Sequence, residues 1–199
     1  MPELVRRQPA LAPDQLAPRG IRLGELSGLG KIGLRGDPGE RAFMTGVGRV
    51  LDLLLPTEPN TSATKGRVTA LWLGPDEWLL TCPVDDTAFF INSLREALNG
   101  THCAITEAGD GRVAFSLQGP SARDVLAKGC PLDLHPRSFT PGSCAQSLLA
   151  KAPVLIHLVE DDPAAGPSFE VYVARSFAQY LWAWLEDAGR EYGVQVDAS

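Results

Sequence analysis

Two carboxylates, Asp76 and Glu77, lie between two tryptophans in the stretch LWLGPDEWLL at residues 71–80. Adjacent carboxylates can act as general acid and general base, but only where their surroundings separate their pKa values. A Gly-Pro pair precedes them, and proline at the second turn position with aspartate after it favours a type I turn. We therefore interpret the stretch as a hairpin tip, with Trp72 and Trp78 as packing residues rather than walls of an active site.

A second candidate is the stretch GLGKIG at residues 28–33, which satisfies the pattern G-x-G-x-x-G. In dinucleotide-binding proteins this pattern follows a strand and opens a helix, whose N-terminus receives the pyrophosphate. Here the pattern continues into a second predicted strand, and the next helix signal comes only at Pro38. The region about 20 positions on reads LDLLLP and offers no acidic residue at a strand end. We predict no nucleotide site.

Histidine, serine and cysteine chemistry is equally restricted. The chain has three histidines: His102, His135 and His157. His102 and Cys103 are neighbours on a predicted strand, where successive side chains point to opposite faces. Ser121 and Ser176 lie at predicted helix starts, where hydroxyl groups are favoured for capping. The four cysteines contain no C-x-x-C pair. We predict no catalytic, cofactor-binding or metal-ligating residue in this chain.

Composition excludes several function classes. The 199 residues are 44% hydrophobic and 21% charged, with a net charge of -6 and a pI near 5.1. An acidic chain without a long Lys/Arg cluster repels phosphate backbones, which excludes nucleic acid as a favoured partner. No stretch approaches the roughly 20 apolar residues of a membrane helix, and no secretory leader is recognisable. We expect a soluble cytoplasmic protein with reduced cysteines.

The pattern of apolar residues predicts an α+β fold of two related α/β halves, each written as strand-strand-helix-strand-strand-helix. A proline-rich arm over residues 1–20 precedes a single domain over residues 21–199, whose halves cover about 21–100 and 101–199. The halves are aligned by Leu34 and Gly36, which recur at the same spacing as Leu117 and Gly119. These are the predicted helices: one from Asp37-Pro38, one over DDTAFFINSLREALNG, a short one over SARDVLAK and a closing one over SFAQYLWAWLEDAGREYG.

The closing helix has an apolar arc wider than one core contact requires. Phe177, Leu181 and Trp184 share one face, while Trp182 and Leu185 occupy the adjoining one. Either the helix is nearly engulfed in its own domain, or its second face meets another chain. If Trp182 is intersubunit, replacing it by aspartate weakens assembly more than folding.

Several stretches together resemble the gamma subunit family of heterotetrameric sarcosine oxidase. The resemblance covers the chain from about Ile21 onward. It is carried by GKIGLRG, LPTEPNT, LWLGPDEWLL, FSLQGPSARDVLAKGCPLDLHPRSF, GSCAQSLLAKAPVLIHL and FEVYVARSFAQYLWAWL.

The resemblance implies a non-catalytic subunit of an oxidoreductase complex, with a fold similar to the folate-binding domain of the glycine-cleavage T-protein. That complex demethylates sarcosine to glycine with tetrahydrofolate and oxygen. The resemblance places FAD, FMN, NAD and the folate site in the alpha and beta subunits and zinc in the delta subunit. It supplies no active-site residue to this chain, which is expected to bind no cofactor and to have the alpha, beta and delta subunits as partners.

Two functions are considered. The first is a structural subunit that contacts the flavoprotein chains through apolar surface. The second is a stand-alone folate-binding or one-carbon transfer protein, which needs a concave pocket with a carboxylate for the pterin. Glu107 and Asp110, near a predicted strand end, are the candidates for that carboxylate.

Overall fold

The structure is a computed structural model that describes residues 20–197, so the predicted arm lies outside the described residues except for Gly20. Within this range the chain forms eleven strands and four α-helices. The strands are β1 (Ile21–Glu25), β2 (Leu29–Gly36), β3 (Ser62–Lys65), β4 (Val68–Gly74), β5 (Glu77–Pro83), β6 (Cys103–Glu107), β7 (Arg112–Gln118), β8 (Cys144–Leu149), β9 (Ala152–Asp162), β10 (Gly166–Ala174) and β11 (Val194–Val196). The helices are α1 (Arg41–Leu51), α2 (Thr87–Ala97), α3 (Ala122–Ala127) and α4 (Ala178–Gly189).

The strands form two sheets. A five-stranded sheet has the order β3-β4-β5-β2-β6, and a six-stranded sheet has the order β11-β1-β7-β10-β9-β8. Neighbouring strands are antiparallel except β1 and β11, which pair in parallel. The predicted α+β class is confirmed by these two sheets and their helices.

The element order repeats. The first unit runs β2-α1-β3-β4-β5-α2-β6, and the second unit runs β7-α3-β8-β9-β10-α4-β11. The sheets do not divide the chain at residue 100, because β1 joins the sheet of the second unit while β6 joins that of the first. Strand β1 lies between β7 and β11, so the segment before the first unit completes the second. The short edge strand β3 directly follows LPTEPNT, a stretch of prolines and polar residues without apolar alternation.

Two helix starts differ from the predictions. Helix α1 begins at Arg41 rather than Pro38, because the Asp37 carboxylate accepts the Gly39 N–H at 2.7 Å and closes a turn before the helix. Helix α4 begins at Ala178 after a 3-10 turn, its N-cap residue is Phe177 and not the predicted Ser176, and no side chain accepts a capping hydrogen bond there. In both places a turn stands between the preceding strand and the helix, so the pattern locates each helix but not its first residue.

Three clusters of buried apolar side chains hold the fold together. Helices α1 and α2 pack on the five-stranded sheet, and helices α3 and α4 pack on the six-stranded sheet. Between the sheets lies a third cluster, to which each sheet contributes its other face. The chain therefore has four layers, helix, sheet, sheet and helix, and the two inner faces must accommodate whatever polar groups fall on them. None of the helices in residues 20–197 is both long and apolar enough to cross a bilayer.

Candidate functional site

The carboxylate pair of the opening stretch lies at a hairpin tip, as predicted. Strands β4 and β5 pair with Trp72 opposite Trp78, and the turn between them carries Asp76. The Trp78 ring is fully buried and its Nε1 donates to the Pro56 carbonyl oxygen at 2.7 Å. The Glu77 carboxylate lies 3.2 Å from the Arg35 guanidinium, but both side chains are exposed, so the pair contributes little stability. The tip therefore packs Trp78 into the core and leaves both carboxylates in contact with solvent.

The glycine motif at residues 28–33 also has the structure that its context predicts. It lies in the turn before β2 and in β2 itself, and the next helix begins only at Arg41. A Cβ on Gly30 would come within 2.0 Å of the Thr87 hydroxyl, so this glycine permits close packing against the start of α2. The motif does not form a phosphate-binding loop.

Both carboxylates that the sequence nominated lie at one cavity. Glu107 ends β6, and Asp110 lies in the link from β6 to β7, where the chain crosses from one sheet to the other. The link between β1 and β2 crosses in the opposite direction beside it. Together they enclose a cavity of about 250 Å³ at one end of the sheet–sheet interface, called here the inter-sheet cavity. The structure thus brings Glu107 and Asp110 to one place.

The cavity contains charged residues that the sequence analysis did not nominate. Its charged lining residues are Glu25, Lys31, Glu107, Asp110, Arg112 and Arg175. Lys31 is the most unusual, since its side chain falls on the face of β2 opposite to the core residues Ile32 and Leu34. Only 6% of Lys31 is exposed. A lysine within LGKIGL, the largely apolar start of β2, was the signal available in the sequence.

The electrostatic surroundings of Lys31 disfavour its charge. Burial, followed by the nearby Arg175 guanidinium, lowers the pKa of Lys31 below its ordinary value. The ammonium donates one hydrogen bond, to the Leu29 carbonyl oxygen at 2.8 Å. No carboxylate of residues 20–197 lies within 4.0 Å of its nitrogen. The ammonium is therefore buried without an ion-pair partner in the described part of the chain.

A second polar cluster joins the two units and is called here the inter-unit clamp. It consists of Ser62 on β3, His157 on β9, and Glu170 and Tyr172 on β10. The His157 Nε2 lies 3.0 Å from the Ser62 hydroxyl, and its Nδ1 lies 3.1 Å from the Glu170 carboxylate. Tyr172 donates to the same carboxylate oxygen. The clamp ties the edge strand of the first unit to the middle of the second sheet.

Ser62, His157 and Glu170 are hydrogen-bonded to one another in the same order as the serine, histidine and acid of a hydrolase triad. The inter-unit clamp nevertheless has a different role. The Ser62 hydroxyl also lies 2.9 Å from the Gly142 carbonyl oxygen, which holds it in a second hydrogen bond. Backbone bonds surround it, from the Ser62 N–H to that carbonyl and from the Cys144 N–H to the Asn60 carbonyl. His157 is only 4% exposed. This arrangement satisfies buried polar groups at a unit boundary, which is a structural function.

The clamp predicts a specific pH dependence of stability. Burial raises the pKa of Glu170, but the hydrogen bonds from His157 and Tyr172 outweigh burial, and the net pKa falls below its ordinary 4.5. A carboxyl whose pKa is lowered on folding stabilises the fold above its unfolded pKa and loses that contribution as pH falls through its folded pKa. The stability advantage of wild type over Glu170→Gln should be constant above about pH 5 and shrink as pH falls below 4.5. Urea unfolding across this range measures it; a pH-independent difference would contradict it.

The cysteines form no disulfides, and within residues 20–197 they belong to no cluster of metal-ligating side chains. All four are free; three are buried and Cys103 is half-buried. Burial raises the pKa of Cys144 to about 11, which keeps this thiol protonated and unreactive. No group of three or more metal-ligating side chains occurs within the part of the chain that the structure describes.

The wide apolar arc of α4 is largely used within the chain. Leu181 and Leu185 are fully buried. Trp182 and Trp184 are half-buried and pack on the same core. The Trp182 ring meets the Phe115 ring edge to face, with centroids 5.2 Å apart. This geometry favours the reading in which α4 is engulfed by its own domain.

Comparison with known proteins gives a consistent result. The model of the sarcosine oxidase, gamma subunit family matches residues 35–191. A sarcosine oxidase subunit gamma from Corynebacterium sp. strain U-96 is 32% identical, over 96% of this chain and 93% of its own length. One from an Arthrobacter species is 32% identical, over 86% of this chain and 81% of its own.

Solved structures agree with the sequence comparison. A chain of the heterotetrameric sarcosine oxidase from Corynebacterium sp. U-96, in complex with pyrrole 2-carboxylate, superposes with a TM-score of 0.82 and 29% identity, covering 92% of this chain and 90% of that one. The glycine cleavage system aminomethyltransferase T from Bartonella henselae superposes with a TM-score of 0.65 and 17% identity, covering 90% of this chain and 48% of that one. The second likeness concerns the fold alone and confirms the expected similarity to the T-protein.

Proposed function

The chain belongs to the sarcosine oxidase gamma subunit family, and on that premise we propose that it is the non-catalytic gamma subunit of a heterotetrameric sarcosine oxidase. The observation that carries the proposal is the family match, which covers residues 35–191. In the proposed complex, sarcosine, tetrahydrofolate and oxygen give glycine, 5,10-methylenetetrahydrofolate and hydrogen peroxide. The partners proposed are the alpha, beta and delta subunits, which hold FAD, FMN, NAD and zinc.

Exposed apolar side chains support a role in assembly. Leu54 is 79% exposed and Phe89 is 64% exposed. The other large apolar residues exposed in the described part of the chain are Val84, Leu148, Val159, Phe177, Tyr180 and Val196. Covering a large exposed apolar side chain with a partner lowers the free energy of the system, and aromatic residues are enriched in such contacts. A cytoplasmic location is part of the proposal, in keeping with the four free cysteines.

The stand-alone folate-binding alternative receives less support. Glu107 and Asp110 do meet at a cavity, as that alternative requires. The cavity of about 250 Å³ is smaller than the roughly 300–1,000 Å³ typical of sites for drug-sized ligands. A pterin joined to its benzoate and glutamate groups does not fit such a volume.

Affinity purification of the tagged full chain tests the proposal. Expressed together with the candidate alpha, beta and delta chains, it should copurify with them as a yellow complex that absorbs in the flavin bands and oxidises sarcosine. Expressed alone, it should show neither flavin absorbance nor turnover. Recovery of a monomer indifferent to these chains, or sarcosine oxidation by the lone chain, would overturn the proposal.

A further inference from the structure

The inter-sheet cavity combines an apolar wall with six charged side chains. Three are cationic (Lys31, Arg112 and Arg175) and three are anionic (Glu25, Glu107 and Asp110). No ion pair shorter than 4.0 Å forms among these six within residues 20–197, although opposite charges line one small space. Arg175 instead uses its Nε to hold the Asp110 carbonyl oxygen at 2.6 Å. The cations of this cavity are therefore not neutralised by direct contact with its carboxylates.

Lys31 is the most deeply buried of the six charged residues, and its hydrogen bonding is incomplete. A lysine ammonium has three N–H donors, and its one acceptor in the described residues is the Leu29 carbonyl oxygen. The residue is 6% exposed, so bulk water does not supply the missing acceptors freely. Burying a charge without a partner is costly, and proteins normally pair such a charge or place it where a ligand completes it.

We propose that the inter-sheet cavity binds a small carboxylate, with the Lys31 ammonium as its main anchor and the Arg112 and Arg175 guanidinium groups as further donors. Half-buried Arg112 and exposed Arg175 line the same space as Lys31, so a ligand in this space lies next to all three cations. The three acidic residues line the rest of the same space and disfavour a second negative charge on the ligand. This site is independent of the proposed function, because it requires no partner subunit.

The size and charge of the cavity select among anions. Its volume of about 250 Å³ admits a small molecule and not a nucleotide. Three cations and three carboxylates give the lining no net formal charge, so a single negative charge next to Lys31 is compensated while a dianionic phosphate meets the acidic side chains. Apolar lining residues, among them Leu29 and Val84, accommodate a short aliphatic part. A small monocarboxylate meets the limits that the cavity sets on volume, on charge and on the apolar part of the ligand.

Calorimetric titration of the full chain with sodium acetate tests the assignment, with sodium chloride matched for ionic strength and inorganic phosphate as the second anion. Wild type should bind acetate saturably, with a dissociation constant in the millimolar range or tighter. Lys31→Met should weaken binding about tenfold or more, because a charge-assisted hydrogen bond is lost. Lys151→Met, at an exposed lysine outside the cavity, should bind acetate like wild type. Equal acetate affinity of wild type and Lys31→Met overturns the proposal, as does binding of phosphate but not acetate.

Reductive methylation provides a measurement that does not depend on the folding of a variant. Wild type is methylated with and without acetate, and each lysine is quantified by peptide mass spectrometry. Acetate should slow methylation of Lys31 and leave Lys151 unchanged. Equal slowing of both lysines, or of neither, overturns the proposal.

Discussion

Replacing His157 by leucine should lower the free energy of unfolding by about 3 kcal/mol. The substitution removes both hydrogen bonds of the imidazole ring, to Ser62 and to Glu170. Removing His157 leaves the buried Glu170 carboxylate with the Tyr172 hydroxyl as its remaining side-chain donor among the described residues, and losing one partner of such a pair costs more than the pair itself contributed. The Glu170 side chain retains 23% exposure, so the loss falls at the lower end of the range for fully buried pairs. Urea unfolding of the full chain, followed by circular dichroism, measures the change.

Two further variants separate the clamp from general effects of the substitution. His102→Leu places the same leucine at an exposed histidine and should change stability by less than about 0.5 kcal/mol. The double variant His157→Leu with Glu170→Leu removes both polar side chains of the pair and should recover part of the loss, because an apolar pair needs no compensation. A double variant less stable than the single one would show that the pair does not account for the loss.

The clamp also shows why part of the molecule was not predictable from local patterns. Ser62 lies in a stretch of prolines and polar residues that reads as a loop, and the strand β3 forms there only because β4 offers an edge. His157 comes 95 residues later, in β9, whose apolar run predicts a strand. No local pattern states that these two side chains meet, because their contact depends on how the two units pack.

Patterns within one element were more informative. The hairpin at Asp76, the strand β9 and the helix α2 follow from turn chemistry and from apolar periodicity. The pairing of β1 does not follow from local patterns, because β1 pairs with β7 from the middle of the chain and with β11 near its end, and not with its neighbour β2. Because β1 and β7 belong to one sheet and β2 and β6 to the other, the β1–β2 link and the β6–β7 link both cross between the sheets and enclose the inter-sheet cavity. Glu107 was recognised there because it ends a strand, whereas Lys31 lies within one, and only the packing of the second sheet encloses its ammonium.

Replacing Trp182 by aspartate should lower the free energy of unfolding of the full chain by about 3 kcal/mol. The ring packs on the core of the second unit and against Phe115, so the change removes apolar contact and places a charge beside the core. Ala183→Asp, at the next and exposed position of the same helix, should change stability by less than about 0.5 kcal/mol. Urea unfolding compares the three chains, and copurification with the partner chains compares their assembly.

Comparing Phe89 on α2 with Trp182 on α4 tests whether α4 contributes a surface to the complex. Phe89 is 64% exposed and its main aromatic neighbour is Phe90, with ring centroids 5.4 Å apart. Phe89→Asp should therefore cost about 1 kcal/mol of folding stability and weaken assembly if a partner covers this ring. Trp182→Asp should reduce assembly only in proportion to the folded fraction that remains, because its ring already has an intramolecular partner. Loss of assembly by Trp182→Asp with unchanged unfolding would place the second face of α4 at a subunit interface instead.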